Sequence, residues 1–337
     1  MNGFFRDKKI LIVGGTGTIG QSLLHHILLD KPKVVRIFSR DEYKQFEMQQ
    51  KYRDQSNIRF LIGDVRDQAR LVRAMQDIDY VFHAAAMKHV PACEYNPFEA
   101  VQTNVLGTQN VILASLETGV KKTIFTSTDK AIAPTNTYGA SKLMAERLIS
   151  AAQYQAGASQ TKFAAVRFGN VMGSRGSVIP LFRQQIIDNK KVTVTDKNMS
   201  RFMMTVDQAS QLTTKAMAFA QGGEIFVLKM PVIKLKELVD VLIDELSVQL
   251  KIDKETIVVE EIGLRPGEKM FEELMTEDEA INAVELSDMY VIQNSFLQKH
   301  DYHGATPAKK VKLTSNSISP LSFQEVKAII VENNLLQ

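Results

Sequence analysis

Short runs of apolar, often β-branched residues recur through the first half of the chain, at residues 10–13, 34–38, 58–62, 80–83 and 123–125. Each run is apolar throughout and does not alternate, as expected of parallel strands covered on both faces. Between them, residues 20–29, 68–75, 99–118 and 138–152 carry helical spacing. A further strand is expected at 163–168. This alternation predicts an α/β fold, a doubly wound parallel Rossmann sheet. After Gly169 the pattern loosens into a polar glycine loop, Gly173-Ser174-Arg175-Gly176, and Pro180 suits the first turn of a following helix. A helix at 207–219 and a strand at 224–228 that rejoins the sheet come next. From Pro231 onward a smaller mixed α/β lobe is expected on the C-terminal side. Residues 301–319 lack periodicity and read as a long loop, whereas Ser322-x-x-Glu325 is a capping box opening a helix over 323–331.

Composition narrows the class. The 337 residues are 45% hydrophobic and 23% charged, ordinary values for a soluble globular chain long enough for two cooperating lobes. A net charge of +3, without interleaved aromatic and basic residues, argues against nucleic acid. One cysteine, Cys93, excludes an internal disulfide, and no Cys/His spacing suggests a metal. No apolar stretch approaches a bilayer span or a signal-peptide core, so a cytoplasmic location without membrane insertion is expected.

Gly14-Gly15-Thr16-Gly17-Thr18-Ile19-Gly20 follows the first strand and opens the first helix. In that context the glycines permit a tight turn and close approach of backbone to a dinucleotide pyrophosphate at the helix N-terminus. The second strand ends Phe38-Ser39-Arg40, with Lys44 one turn on, and positive charge there suits the 2′-phosphate of NADP better than the bare ribose of NAD. Asp41 and Glu42 dilute that charge, and Arg40 pairing with them on the surface is the bland alternative. In Gly63-Asp64-Val65, Asp64 either meets the adenine amino group or caps the next helix. Ala84, Ala85 and Ala86 are small enough to let a dinucleotide lie close.

Tyr138 and Lys142, one helical turn apart, share a face beyond the fifth strand. A phenol supported by a nearby ammonium removes a hydroxyl proton as a nicotinamide accepts hydride. Asp129 and Lys130 stand just upstream, in Ser127-Thr128-Asp129-Lys130, on a loop at the carboxyl edge of the sheet. An extra acid and amine there suggest proton removal beside a carbonyl and loss of a leaving group; the alternative is a surface ion pair.

The 14–20 fingerprint and Tyr138-x-x-x-Lys142 resemble those of extended short-chain dehydrogenase/reductases. Six segments resemble one branch, the inverting UDP-N-acetylglucosamine 4,6-dehydratases of bacterial surface-sugar synthesis. They are Phe38-Ser39-Arg40-Asp41-Glu42, His83-Ala84-Ala85-Ala86-Met87-Lys88-His89-Val90-Pro91, Ser127-Thr128-Asp129-Lys130-Ala131, Arg167-Phe168-Gly169-Asn170-Val171, Gly173-Ser174-Arg175-Gly176-Ser177 and Arg265-Pro266-Gly267-Glu268-Lys269. The likeness runs over about residues 8–274. A neighbouring branch that epimerises C5 tends to carry methionine where Tyr138 stands, so Tyr138 points to the pseudaminic-acid type; Ala133-Pro134-Thr135-Asn136-Thr137 departs from the pattern.

The resemblance implies a tightly bound NADP⁺ regenerated each turnover, held by Gly14, Thr16, Gly17, Thr18, Ile19, Gly20, Ser39, Arg40, Lys44, Asp64, Val65, Ala84, Ala85, Lys88, Ser127, Tyr138 and Lys142. Tyr138 would take the 4-hydroxyl proton, Lys130 the C5 proton, and Asp129 would protonate the departing 6-hydroxyl; Lys142 and the oxidised cofactor would lower the Lys130 pKa. The UDP-N-acetylglucosamine would meet Lys88, Thr128, Asn170, Val171, Arg175, Thr195 at the uracil, and Arg201, Arg265 and Glu268 at phosphate and ribose. The expected division is residues 1–174 with 207–229 for NADP and 175–206 with 230–337 for the UDP-sugar. Homo-oligomers, dimer or hexamer, are usual in the family, with helices 99–118 and 138–152 between subunits. A retaining or alkene-forming dehydratase, a UDP-hexose 4-epimerase and a non-catalytic NADP-binding regulator are the competing functions.

Overall fold

The computed structural model describes residues 3–174 and 176–336. The chain opens with β1 (Lys9–Val13), α1 (Thr18–Leu29), β2 (Val34–Ser39), α2 (Glu42–Lys51), β3 (Ile58–Ile62), α3 (Gln68–Met75) and β4 (Tyr80–His83). Next come α4 (Val90–Tyr95), α5 (Pro97–Ala100), a π-type turn (Val101–Leu106), α6 (Gly107–Glu117) and β5 (Lys122–Thr126). A single 3₁₀ turn (Asp129–Ala131) leads into α7 (Thr137–Gln155) and β6 (Lys162–Arg167). The strands lie parallel in the order β6-β5-β4-β1-β2-β3, the doubly wound arrangement expected from the apolar runs. Val13, Ile12, Ile124 and Val166 are fully buried, because helices cover both faces of the sheet.

The chain continues through β7 (Asn170–Met172), α8 (Val178–Asn189), β8 (Lys191–Val194), β9 (Ser200–Thr205), α9 (Val206–Phe219), β10 (Ile225–Leu228), β11 (Val232–Lys234) and α10 (Leu235–Leu250). It ends with β12 (Val258–Glu261), β13 (Glu273–Met275), α11 (Glu277–Ile281), β14 (Ala283–Glu285), β15 (Met289–Ile292), β16 (Thr306–Pro307), β17 (Leu313–Thr314) and α12 (Phe323–Glu332). β10 joins β6 in parallel, as expected. β15, β14 and β16 then extend the same sheet antiparallel, to ten strands. Residues 283–307 therefore lie on the large sheet, although they belong to the stretch assigned by sequence to the smaller lobe.

A separate apolar cluster joins α8, β8, α10 and α12 through Ile179, Phe182, Ile186, Leu238, Leu242, Leu246, Val326 and Ile330. Within the main core, Arg167, fully buried at the end of β6, ties α7 to the segment carrying β13 and α11. Its Nε and Nη2 donate to Glu146 at 3.0 and 2.7 Å, and its Nη1 donates to the Leu274 carbonyl and to Glu279, both at 2.9 Å. A planar fork with five donors suits this two-carboxylate seat.

Two expectations are corrected, and one helix was unforeseen. The helix over 99–118 is interrupted by the π-type turn at Val101–Leu106. The loop over 301–319 contains two short strands, β16 and β17. Helix α2 was not anticipated. Among the described residues no helix is long and apolar enough to cross a membrane.

Candidate active site

The first glycine turn is shaped by contact as well as by conformation. Gly14 has φ +83°, and a β-carbon there would come within 2.6 Å of the Ala85 nitrogen. A β-carbon on Gly20 would lie 2.6 Å from the Gly14 oxygen, so α1 starts hard against the turn. Gly17 is the N-cap of α1 and supplies no side-chain cap, which leaves the first-turn N–H groups facing the cradle. Thr16 and Ser39 hydroxyls lie 2.8 Å apart and link the turn to the end of β2. Ile19 packs against the main core and Val65 is buried. At the tip of β5 the Ser127 hydroxyl is buried without a hydrogen-bond partner.

The charges beyond β2 are already paired. Lys44 forms an ion pair with Asp41, and exposed Arg40 lies 3.8 Å from Asp64. Asp64 also accepts from the Arg66 N–H at 3.0 Å, so it holds its own turn, while Asp67 caps α3.

The 3₁₀ turn at Asp129–Ala131 packs on the start of α7. Tyr138 is hydrogen-bonded to Thr128, and Thr128 Oγ1 donates to Asp129 Oδ1 at 2.8 Å. Burial pushes the Tyr138 phenol up to about 12, against the opposing charge of Lys130. Lys142 is buried, donates to the Thr126 carbonyl at 2.6 Å and lies 3.9 Å from the centre of the Phe125 ring. Burial lowers its ammonium to about 7. His83 below it is fully buried beside Thr108 at 3.0 Å and held neutral, burial driving its pKa to about 3.

Lys130 Nζ lies between two carboxylates, 3.2 Å from Asp129 Oδ1 and 3.0 Å from Glu272 Oε1. Burial alone would lower this ammonium, but the charges of Asp129 and Glu272 prevail and raise it. Lys142, expected to lower it, is not among the charges that set it: Asp129 first, and then Glu272 from a distant part of the chain, hold Lys130 as an ammonium. Burial works to raise the Asp129 carboxyl, yet Lys130 and the hydrogen bonds of Glu272 and Thr128 bring it below its ordinary value. Asp129 is therefore ionised in the free protein, not the protonated acid expected from sequence. Glu272 moves the other way, to about 8, through burial and then the charge of Asp129.

A cleft of about 230 Å³ opens onto this cluster, lined by Asp129, Lys130, Asn170, Arg201, Arg265 and Glu268 among others. Arg265 and Glu268 are linked by the Arg265 N–H, which donates to Glu268 at 3.3 Å. Gly267 between them has φ +80°, and its carbonyl accepts from Thr135 at 2.8 Å and Asn136 at 3.2 Å, so this loop is docked against the approach to α7. The Arg201 guanidinium donates to the carbonyls of Ser200 and Lys269, both at 2.9 Å, and its Nε lies 3.4 Å from Glu272. Lys88, Val171 and Thr195 do not line this cleft among the described residues, and Arg175 lies outside them. Thr195 directs its hydroxyl to the Met199 sulfur.

Sequence reasoning missed Glu272 and Asn104. Buried Asn104 binds both backbone groups of Met87, at 2.8 and 3.0 Å, and the Ser141 hydroxyl at 2.9 Å, so it joins the loop after β4 to α7. The only signal for Glu272 was the pair Glu272-Glu273 between apolar Phe271 and Leu274, just past the Arg265–Lys269 motif, which does not single out Glu272.

The family described as polysaccharide biosynthesis protein matches residues 10–294. The chain is 45% identical to an uncharacterized membrane protein of Methanocaldococcus jannaschii, over 100% of this chain and 99% of that one. It is 44% identical to the UDP-N-acetylglucosamine 4,6-dehydratase (inverting) of Campylobacter jejuni, over 86% of this chain and 84% of that one. It is 38% identical to the UDP-glucose 4-epimerase of Rickettsia canadensis, over 99% and 98%. Among solved structures, Pen from Bacillus thuringiensis superposes with a TM-score of 0.94 at 56% identity, covering 99% of this chain and 100% of that one. DesIV, a dTDP-glucose 4,6-dehydratase of Streptomyces venezuelae solved with NAD bound, shares the fold at a TM-score of 0.69 and 23% identity, covering 78% and 86%.

Proposed function

Since the chain belongs to the polysaccharide biosynthesis protein family, within the extended short-chain dehydrogenase/reductases that act on nucleotide sugars, we propose that it is a UDP-N-acetylglucosamine 4,6-dehydratase that inverts C5. The observation that carries the reading is the Asp129–Lys130 pair beside Tyr138, facing a cleft lined by Arg265 and Glu268. Its product would be a UDP-4-keto-6-deoxy-N-acetylhexosamine, of the kind from which bacterial surface glycans and pseudaminic acid are made.

The glycine cradle, the uncapped start of α1 and the unpartnered Ser127 hydroxyl suit a nicotinamide dinucleotide. Gly14, Gly17, Gly20, Ser39, Asp64, Ser127 and Lys142 would hold it, and Arg40 with Lys44 would favour NADP after exchanging their present carboxylate partners. When bound, a nicotinamide there would supply the acceptor for hydride from C4 and the donor of hydride to C6.

Tyr138 receives the 4-hydroxyl proton, with Thr128 fixing the phenol and the charge of Lys130 favouring its ionised form. The resulting 4-ketone acidifies the C5 hydrogen. At rest Lys130 is an ammonium and Asp129 a carboxylate, neither in the form elimination needs. One proton crossing the 3.2 Å from Nζ to Oδ1 converts both: the amine then takes the C5 proton, and the carboxylic acid protonates the 6-hydroxyl as water leaves. Arg265 provides charge for the pyrophosphate and Glu268 an acceptor for ribose hydroxyls.

Relatives named UDP-glucose 4-epimerase favour the alternative of epimerisation. An epimerase has no use for an acid and base poised beyond Tyr138. Mass spectrometry of the product separates the two, because dehydration removes one water and epimerisation conserves mass.

A further inference from the structure

Glu272 occupies a built position. Its backbone N–H donates to the Ser315 hydroxyl at 2.9 Å, its carbonyl accepts from the Ser315 N–H at 2.9 Å, and Ser315 is itself buried against Ser200 at 2.8 Å. Its side chain is 8% exposed. Oε2 accepts from Asn170 Nδ2 at 2.7 Å, and Oε1 lies 3.0 Å from Lys130 Nζ and 3.4 Å from Arg201 Nε. Asp129 Oδ2 is buried without a hydrogen-bond partner, and the Asp129 and Glu272 carboxylates converge on the same Lys130 Nζ, at 3.2 and 3.0 Å. Two carboxyls so placed hold one proton between them far more easily than two charges.

We propose that Glu272 is the positioning residue of the elimination step: its carboxyl fixes the Lys130 amine in the cleft and, through its own charge 3.0 Å from Nζ, governs how readily Lys130 gives up its proton to act as a base. This rests on the dehydratase reading above. With Glu272 ionised, two carboxylates hold Lys130 as an ammonium. With Glu272 protonated, only Asp129 does, and the Nζ–H bond can break as the Asp129 Oδ1–H bond forms, with no net change in charge. The charged groups facing Glu272 are Asp129 and Lys130 from the 3₁₀ turn and Arg201 from β9: the first favours the protonated carboxyl and the other two oppose it. Burial adds to Asp129, and the balance puts the carboxyl at about 8. Dehydration then declines as pH rises through that region, while hydride removal from C4, which relies on Tyr138, does not follow the same curve.

The test compares wild type, Glu272→Gln and Glu272→Ala, each assayed with NADP⁺ and UDP-N-acetylglucosamine from pH 6 to 10. Glu272→Gln, fixed in a neutral form, should lose about tenfold in kcat, as for one altered hydrogen bond, and should lose the alkaline decline. Glu272→Ala should lose about 100-fold in water release while the nicotinamide absorbance of the first half-reaction still appears. Infrared difference spectra of the free proteins give a readout that needs no turnover: a carboxylic C=O band that titrates near the wild-type midpoint and is absent from Glu272→Gln. An alkaline decline in Glu272→Gln at the wild-type midpoint, or the infrared band persisting in it, would overturn the proposal while leaving the dehydratase reading intact. A wild type that releases no water from the sugar would overturn that reading instead, whatever the variants do.

Discussion

A β-carbon on Gly139 would overlap the carbonyl oxygen of Lys130, so helix α7 docks on the Asp129–Ala131 turn only because residue 139 has no side chain. This contact seats the start of α7, which carries Tyr138, directly against the turn that carries Lys130. Gly139→Ala should therefore push the turn away from the helix. Turnover should fall by about 100-fold, the usual cost of misplacing a reacting group by an ångström, with cofactor affinity unchanged in a fluorescence titration.

Tyr138 is the group through which the first proton leaves. Tyr138→Phe keeps the ring and its burial but removes the hydroxyl bonded to Thr128. Turnover should drop by about a thousandfold, and stopped-flow absorbance should register no reduced nicotinamide on adding UDP-N-acetylglucosamine. Lys130→Ala should differ in kind: reduced nicotinamide appears, and water is not released.

Lys142 should cost stability where it is charged. Its ammonium lies at about 7 in the folded protein against an ordinary 10.5. Between those values the unfolded chain binds the extra proton, so wild-type stability rises with pH from about 7 to 10.5 on this account, and the burial cost is fully present below 7. Lys142→Met should be the more stable protein at pH 6 by on the order of a few kcal/mol, and the gap should close toward pH 10.5. Urea unfolding at both ends of the range measures it.

Arg167 has no such role in catalysis, and its loss should be felt in the fold. Arg167→Met leaves Glu146 and Glu279 without their partner in a dry site. Breaking a buried pair in this way costs about 3–5 kcal/mol, readable as a lowered urea midpoint.

The parallel sheet was legible because its strands are short apolar runs between helices, a pattern local to each segment. Tyr138 and Lys142 were legible for the same reason, being one turn apart. Helix α2 was not, because it buries only Gln45 and Met48 and leaves Phe46 half exposed, so it carries no apolar stripe. The π-type turn at Val101–Leu106 is equally invisible to a 3.6-residue period. Glu272 was missed for a different reason. It reaches Lys130 across 142 residues of sequence, and only the packing of the C-terminal segment on β9 brings the two together. The resting charges of Asp129 and Lys130 were not legible either, since they are set by burial and by each other, with Glu272 adding to both.

Proton NMR of UDP-N-acetylglucosamine incubated with the protein and NADP⁺ in heavy water tests the central claim most directly. A 4-keto-6-deoxy product that has lost one water, carries deuterium at C5 and has inverted C5 configuration is expected. A product of unchanged mass, altered only at C4 and without deuterium at C5, would contradict it.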